Sequence, residues 1–297
     1  MDPFGLTPLA GGFSGETFVA ESLGEERTVV RIYAERGAQR GPLAVEVDAA
    51  VLRLVRGLLP VPQVLELRRP DPVAGTPAVL VTSFLPGTRL DLLLPELGEK
   101  GRRAVGREVG TLLARLAQMP MPRPGMFVDA ELRVEPFPVD LVEWVEQHRS
   151  ALAHWSEEEY DGLLQVADGA QNLLDEVDRT CLVHSDLNPK NLLVNPDTCT
   201  VTGLLDWEFA HAGIPVTDLG NLLRFEREPV FAGEVLAAYR NGVVDAPHDL
   251  LDKARAADLL ALVDLAARRG TNPVADRAHD LLLAIARDRD LHAVPGE

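Results

Sequence analysis

The 297-residue sequence contains only two cysteines, Cys181 and Cys199. Two cysteines cannot build the disulfide framework of a small secreted domain, and both lie in apolar, strand-like stretches, so we expect free thiols. No apolar run approaches the length needed to cross a bilayer. The first residues, MDPFGLTPLAGG, have neither the basic nor the apolar region of a secretory signal peptide. These absences predict a cytoplasmic protein that is not inserted in a membrane.

Basic residues are scarce in this chain. It has 29 lysines and arginines against 46 aspartates and glutamates, which gives a formal net charge of −17. A nucleic-acid binder needs a basic face for the phosphate backbone, so the charge argues against that function class. Two interpretations of the acidic surplus stay open: it keeps the protein soluble, or it attracts a cationic small molecule.

The pattern of apolar residues divides the chain into two parts. Up to residue 85, short β-rich runs such as TVVRIY and AVLVTSFL alternate with turns, and one helix is predicted over residues 43–57. Beyond PGTRL at 86–90 the period becomes helical, and residues 140–178 are predicted to form one or two helices. We therefore predict an α+β fold with a small β-rich lobe over 1–85 and a larger α-helical lobe over 86–297.

The segment HSDLNPKN at 184–191 concentrates polar residues between two strand-like runs. Asp186 precedes Asn191 by five residues, and Asp206 ends the next predicted strand. Carboxylate and amide oxygens suit a hard cation such as Mg²⁺, which leaves Asp186 to accept the proton of a substrate hydroxyl. The alternative is that Asp, Asn and Pro merely form the turn of a β-hairpin here.

The same residues carry a resemblance to a known family. HSDLNPKN, followed by LLDWE at 204–208 and GIPVTDLGNLL at 213–223, is similar to the catalytic segment of the aminoglycoside phosphotransferase-like small-molecule kinases. The resemblance implies a bilobal, protein-kinase-like fold and transfer of a phosphoryl group from ATP to a hydroxyl of a small molecule. It also implies that Asp186 is the catalytic proton acceptor, while Asn191 and Asp206 hold Mg²⁺.

Four further positions near this segment follow from the resemblance. His184 is expected to brace the loop by hydrogen bonds, and Asp218 is expected to anchor backbone amides. Ser185 stands where the family usually has glycine, so we expect that its backbone does not need a positive φ angle. Lys190 is expected either to contact the γ-phosphate or to face solvent.

The resemblance assigns the ATP phosphates to the first lobe. In AGGFSGETFV, the backbone amides at Gly12, Ser14 and Gly15 would cover the phosphates. Arg31 replaces the phosphate-binding lysine that the family has on the following strand, and it supplies a permanent charge with a forked donor set. The alternative is that Arg31 is a surface residue on an edge strand.

Two other features of the nucleotide site are implied in the same way. The carboxylate partner of Arg31 is expected on the helix at 43–57, where register favours Asp48 and the family's usual identity favours Glu46. These two lie on different helix faces, so only one can point into the cleft. Backbone groups at 82–85, which include Ser83 and Leu85, are expected to bind the adenine.

The acceptor side is less specific. Eleven acidic residues lie between Asp140 and Asp178, against a single basic residue, Arg149. Trp144 and Trp155 share a face if their helix is continuous. Acids beside aromatic rings suit an amine-bearing acceptor, and the alternative is solvated acidic faces with both tryptophans in the core.

Two other functions stay open beside the kinase. Because Arg31 replaces the family's lysine, the chain is alternatively a non-catalytic, nucleotide-binding relative of these kinases. A more distant alternative is a hydrolytic metal centre whose ligands come from the HSD motif at 184–186, Asp206 and His211. A hydrolase has no need of a separate β-rich lobe, so the first 85 residues favour the kinase.

Overall fold

The first lobe is an antiparallel sheet with one helix. The structure, a computed structural model, describes residues 5–8, 17–21, 27–34, 40–137 and 140–296. The strands are β1 (Gly5–Pro8), β2 (Thr17–Glu21), β3 (Arg27–Tyr33), β4 (Val64–Arg68) and β5 (Ala78–Ser83), in the order β1-β2-β3-β5-β4. In β3, Arg31 pairs with Thr17 of β2 and Leu80 of β5. Arg31 therefore lies on the central strand and not on an edge.

One helix covers this sheet. Helix α1 (Ala44–Val55) corresponds to the predicted helix at 43–57 and packs on β4 and β5. Its buried apolar residues recur at the spacing of one helix face, as in Val45, Ala49 and Leu52. The helix stops before Gly57, whose φ angle of +86° places it in the left-handed region that glycine adopts without steric cost.

The second lobe is mainly helical. Its helices are α2 (Leu90–Leu93), α3 (Glu99–Ala117), α4 (Leu141–Gln147), α5 (Glu157–Asp175), α6 (Thr217–Leu223), α7 (Pro229–Gly242), α8 (Leu250–Ala267) and α9 (Pro273–Asp288). Helices α3 and α7 pack so closely that a Cβ atom at Gly110 would lie only 2.4 Å from the carbonyl oxygen of Val235. No helix in the described part of the chain is long and apolar enough to span a bilayer.

Short strands hold the catalytic segment. Strand β6 (Thr88–Arg89) pairs with β10 (Leu192–Val194), which pairs with β11 (Val201–Leu204). Strand β9 (Cys181–Val183) pairs with β12 (His211–Gly213), and β7 (Met126–Phe127) pairs with β8 (Val134–Glu135). Because β9 and β10 belong to different sheets, residues 184–191 are not the turn of a hairpin, and that alternative is wrong.

The chain passes from the first sheet to the second lobe between β5 and β6. Strand β5 of the first sheet ends at Ser83, and β6 in the second lobe begins at Thr88. The division at residues 85 and 86 stays a prediction as a domain boundary.

Both cysteines are free, as expected, and Cys181 is buried.

Candidate active site

Asp186 lies at the end of β9, on a loop that a buried carboxylate holds in place. Asp218, at the start of α6, accepts hydrogen bonds from the backbone amides of His184 (3.0 Å) and Ser185 (2.8 Å). The φ angle of Ser185 is +63°, so the expectation that this backbone avoids a positive φ is wrong. The two hydrogen bonds to Asp218 stabilise a backbone conformation that an L-residue otherwise disfavours.

His184 braces the same loop through both ring nitrogens. Its Nε2 donates to the carbonyl oxygen of Leu205 at 2.8 Å, and its Nδ1 accepts from the amide of Asp186 at 3.3 Å. Burial lowers the pKa of His184 below its usual value, which favours this neutral ring. Since both nitrogens are engaged, His184 is not available as a metal ligand, and this argues against the hydrolytic metal centre. His211 is likewise turned to the backbone, with Nδ1 3.0 Å from the carbonyl oxygen of Phe209.

Two asparagines orient the Asp186 carboxylate. Nδ2 of Asn188 donates to Oδ1 at 3.1 Å, and Nδ2 of Asn191 donates to Oδ2 at 3.0 Å. Burial and the nearby Asp206 raise the pKa of Asp186, while the two asparagines act in the opposite direction. The result is a partly buried, oriented carboxylate with a basicity above that of an ordinary aspartate, which suits a proton acceptor.

Asn191 and Asp206 fit the Mg²⁺ site expected of them. The amide nitrogen of Asn191 donates to Asp186, so its amide oxygen is the atom left for a cation. The Asp206 side chain is 39% exposed, and of its two oxygens Oδ1 pairs with Arg31. Amide and carboxylate oxygens are hard donors of the kind that Mg²⁺ prefers. The described residues contain no cluster of three or more His, Cys, Asp or Glu side chains that would form a metal site of another type.

Arg31 spans the two lobes. Its Nη1 lies 3.0 Å from Oδ1 of Asp206, and its Nη2 pairs with Oε2 of Glu208, whose side chain is only 9% exposed. Burial acts to lower the pKa of Arg31, but Asp206 and Glu208 outweigh it, so the pKa is raised. Arg31 therefore carries its positive charge beside the predicted Mg²⁺ ligand Asp206.

The carboxylates of α1 are bound elsewhere. Asp48 accepts from Tyr33 (2.6 Å) and from the two terminal nitrogens of Arg40 (2.6 and 2.8 Å), and Glu46 accepts from Arg69 (2.9 Å). The two carboxylates do point in different directions, as predicted from their spacing. The expected ion pair between Arg31 and Asp48 is nevertheless wrong, because Arg40 and Tyr33 occupy both oxygens of Asp48.

The other predicted nucleotide-binding residues are placed as follows. Ser83 ends β5, where its amide and hydroxyl oxygen are hydrogen-bonded to the backbone of Gln63, at 2.9 Å each. Leu85 reaches the second lobe, where its Cδ1 would lie 3.0 Å from a Cβ atom on Gly203. Lys190 is exposed, at the end of a short 3₁₀ turn (Pro189–Asn191). Gly12, Ser14 and Gly15 lie outside the described residues.

Sequence reasoning missed an arginine near Asp186. Arg224, at the end of α6, acts electrostatically on Asp186 and is fixed by Asp258 of α8 through contacts of 2.8 and 2.5 Å. Asn221 also donates to Asp258, at 2.8 Å. The sequence did contain a signal for this pair. Arg224 is the one charged residue in the apolar run GNLLRF, and Asp258 is the one charged residue in AADLLALV. Because buried charged side chains are usually paired, two such residues are candidates to pair with each other. Glu208, two residues after Asp206, was missed as the partner of Arg31.

The tryptophans and Glu159 of the predicted acceptor helices serve packing and capping. Residues 148–156 break the helix between α4 and α5, so Trp144 and Trp155 do not share a helix face. Trp144 donates to the carbonyl oxygen of Leu260 at 3.0 Å, and Trp155 donates to Nε2 of His279 at 2.9 Å. Both rings pack against the hydrophobic core, which is the alternative stated for them. Helix α5 packs on α8 and α9, and its Glu159 forms a capping box and an ion pair with Arg287.

Comparison with known proteins identifies the family. The phosphotransferase enzyme family (APH) matches residues 5–259. Acyl-CoA dehydrogenase family member 11 of Mus musculus is 37% identical over 82 residues, which are 28% of this chain and 10% of that protein. The chain spans from a tenth to about a third of the length of the curated relatives it matches, so their named activity does not carry over.

Solved structures show the same fold. A thermostable mutant of the aminoglycoside phosphotransferase APH(4)-Ia, in complex with ADP and hygromycin B, has a TM-score of 0.65 at 16% identity, over 96% of this chain and 91% of that chain. The GDP and kanamycin complex of APH(2″)-IIIa has a TM-score of 0.67 at 19% identity, over 94% and 91%. The α+β, bilobal, protein-kinase-like fold predicted from the sequence is confirmed. The chain therefore belongs to the phosphotransferase enzyme family.

Proposed function

We propose that this protein transfers the γ-phosphoryl group of ATP to a hydroxyl of a small molecule, with Mg²⁺. The observation that carries the proposal is the Asp186 carboxylate, oriented by Asn188 and Asn191 and lying within electrostatic reach of Asp206. Phosphoryl transfer depends mainly on positioning and charge neutralisation. This arrangement supplies the positioning, and Arg31 together with Mg²⁺ would supply the neutralisation. ADP and GDP complexes of structural neighbours support a nucleotide as phosphoryl donor.

In the proposed reaction the carboxylate of Asp186 orients the acceptor hydroxyl and takes its proton as the oxygen attacks phosphorus. Asn188 and Asn191 keep the two oxygens of the Asp186 carboxylate in place. The carboxylate therefore loses little orientational freedom when the acceptor binds. Arg31 contributes a fixed positive charge for the phosphates. Mg²⁺, held by Asn191 and Asp206, would neutralise negative charge on the phosphates when bound.

The non-catalytic alternative is the second candidate, because Arg31 replaces the family's lysine. Against it stands the pairing of Arg31 with Asp206, which puts the arginine charge next to the proposed Mg²⁺ ligand. A relative that only binds nucleotide would not need Asp186 to be oriented by two amides.

The acceptor is a small molecule, and an amine on that acceptor stays a prediction. The names of the structural neighbours support it, since they are aminoglycoside phosphotransferases solved with hygromycin B or kanamycin. On this chain, acids of the 140–178 region serve as helix caps and surface ion pairs, as in Asp140 and Glu159. A cytoplasmic location also stays a prediction.

An ADP-release screen tests the proposed function. The purified protein is incubated with ATP, Mg²⁺ and a panel of hydroxyl compounds that carry amino, neutral or acidic substituents. We expect acceptor-dependent ADP release that is lost in Asp186→Asn. Acceptor-dependent release that persists in Asp186→Asn would contradict the assigned role of Asp186. Tight nucleotide binding with no release for any compound would favour the non-catalytic alternative.

A further inference from the structure

An arginine cluster lies around Arg224, in a chain with a formal net charge of −17. The cluster consists of Arg224, Arg227, Arg255 and Arg277, which come from the end of α6, the connection to α7, and helices α8 and α9. Arg227 is close to Arg224, since its Nε lies 3.4 Å from the carbonyl oxygen of Arg224. Arg277 stacks over the ring of Phe225 at 4.5 Å and donates to the carbonyl oxygen of that residue.

Among the residues that the structure describes, a carboxylate directly contacts only one member of the cluster. Arg224 pairs with Asp258, at 2.5 Å. Arg227 and Arg255 instead donate to main-chain carbonyls of the segment that follows α9. Arg227 reaches those of His292 and Ala293, both at 3.1 Å, and Arg255 reaches that of Leu291 at 3.3 Å. Neutral carbonyl groups do not balance these charges, and Asp258, which acts on both arginines, is already paired with Arg224.

The nearest other carboxylates are engaged by His292. Asp252 Oδ1 lies 2.5 Å from Nε2 of His292, and Asp290 Oδ1 accepts from the amide of His292 at 2.8 Å. Nε of Arg255 is buried and has no hydrogen-bond partner among the described residues. A buried donor without a partner is costly and therefore points to a group that it is built to meet.

The electrostatics agree with this geometry. Burial and the neighbouring Arg227 lower the pKa of Arg255 to about 10, while Asp290 and Asp252 only partly oppose them. Burial and Arg277 lower the pKa of Arg227 in the same way. Burial is the larger cause in both cases, and repulsion between the arginines is the smaller one. An anion placed between them would remove the repulsion.

We propose that Arg227 and Arg255, flanked by Arg277, form a binding site for an oxyanion, either a carboxylate or a phosphoryl group. The guanidinium fork of arginine matches the spacing of two oxygens in both groups. The site is next to Arg224, which acts on Asp186, so two sources of the oxyanion have to be separated: an acidic substituent of the acceptor, or a free phosphate ion. Assignment to an acceptor rests on the proposed function, whereas binding of the ion does not.

Phosphate binding to the full chain tests the site directly. Sodium phosphate is titrated by calorimetry into wild type, Arg227→Gln and Arg255→Gln, with sodium chloride holding the ionic strength constant. We expect saturable binding that weakens at least tenfold in each variant. Arg31→Ala is measured in parallel, because phosphate bound at the nucleotide site would be lost there instead. Arg268→Gln, which removes an exposed arginine paired with Asp264, is the matched control and should bind as wild type does.

A second variant guards against misfolding. Arg255→Lys keeps the positive charge, so we expect it to fold. It lacks the Nε donor and the guanidinium fork, so we expect its affinity for phosphate to be lower than that of wild type. Absence of saturable phosphate binding in wild type would overturn the site. Equal affinity in wild type, Arg227→Gln and Arg255→Gln would overturn it as well.

The acceptor panel then separates the two sources. If the oxyanion belongs to the acceptor, Arg255→Gln should raise KM for acidic acceptors at least tenfold, with little change in kcat or in KM for ATP. If the oxyanion is a free phosphate ion, phosphate should still bind in the presence of saturating acceptor. In that case Arg255→Gln should leave KM for acidic acceptors unchanged. Failure of every compound to release ADP would contradict the proposed function and leave the phosphate titration valid.

Discussion

Arg31 of the first lobe and Asp206 of the second lobe form an ion pair, with 3.0 Å between Nη1 and Oδ1. The same guanidinium binds Glu208, so one side chain links the central strand β3 to both carboxylates that follow β11. Glu208 is nearly buried, and its charge is stabilised by this contact. The residue proposed to bind phosphate therefore also organises the predicted Mg²⁺ site.

Arg31→Ala should weaken ATP binding at least tenfold, because it removes a positive charge from the phosphate site and from Glu208. Arg31→Lys should retain most of the affinity, since the charge is kept while the fork is lost. Calorimetric titration of ATP with Mg²⁺ into both variants measures the effect, and exposed Arg268→Ala is the control. Wild-type affinity in Arg31→Ala would mean that the arginine has no role at the nucleotide.

Asp186→Asn should lower kcat by on the order of a hundredfold or more, because it removes the proton acceptor and preserves the shape of the side chain. The dissociation constant for ATP should hardly change.

Asp206→Ala should instead abolish the Mg²⁺ dependence of nucleotide binding, which calorimetry with and without Mg²⁺ detects. Two variants with wild-type turnover would show that the chemistry takes place elsewhere.

Ser185→Gly should raise the free energy of unfolding. The φ angle of Ser185 is +63°, a region that costs an L-residue roughly 1–2 kcal/mol and costs glycine nothing sterically. Glycine loses about 0.5–1 kcal/mol through the entropy of the unfolded chain, so a net gain of about 0.5–1 kcal/mol is expected. Urea unfolding measures it. Ser185→Ala keeps the positive φ and should show no gain, and a gain of equal size in that variant would rule out relief of strain as the cause.

His279 should make stability depend on pH. The indole nitrogen of Trp155 can only donate, so Nε2 of His279 accepts from it and must be unprotonated. Burial lowers the pKa of His279 below its usual 6.5. The unfolded chain binds a proton near pH 6.5 while the folded chain resists it, so the free energy of unfolding should fall as the pH drops below about 6.5.

The slope attributable to His279 is at most about 1.4 kcal/mol per pH unit. His279→Gln keeps an acceptor for Trp155 but cannot titrate, so its unfolding free energy should depend less on pH between 7 and 5. Urea unfolding at several pH values measures both proteins. The pKa values of His184 and His211 are also lowered by burial, so these residues contribute to the dependence that remains. Identical pH profiles for the two proteins would contradict the assignment.

The order of the elements was predictable because each depends on local pattern. The alternation in TVVRIY and the helical period at 43–57 are properties of consecutive residues, and β3 and α1 lie where those patterns predict them. The role of Asp218 followed from the resemblance, and the structure shows it accepting the amides of residues 184 and 185.

The pairing of side chains was less predictable because it depends on long-range geometry. Asp48 was expected to meet Arg31, but Arg40 approaches it from the start of the helix and binds both oxygens. Partners 175 and 177 residues away, Asp206 and Glu208, took the place of Asp48. Nothing in the local sequence around Arg31 reports that competition. The prediction that Trp144 and Trp155 share a helix face failed for a similar reason. The helix ends between them, so the spacing of one continuous helix does not apply.

In the segment that joins the lobes, Phe84 is held by Arg27 of the first lobe, whereas residues 86–89 are held by the second lobe. A Cβ atom at Gly87, where φ is +145°, would lie 2.5 Å from Oγ1 of Thr202, and that hydroxyl donates to the carbonyl oxygen of Pro86 at 2.7 Å. Thr88 and Arg89 then pair with β10, next to the catalytic loop. Residues 86–89 are thus fixed to the second lobe. For building chimeras from two relatives, the exchange point should fall at residues 84–85, so that residues 86–89 stay with the second lobe, whose β10–β11 hairpin they contact.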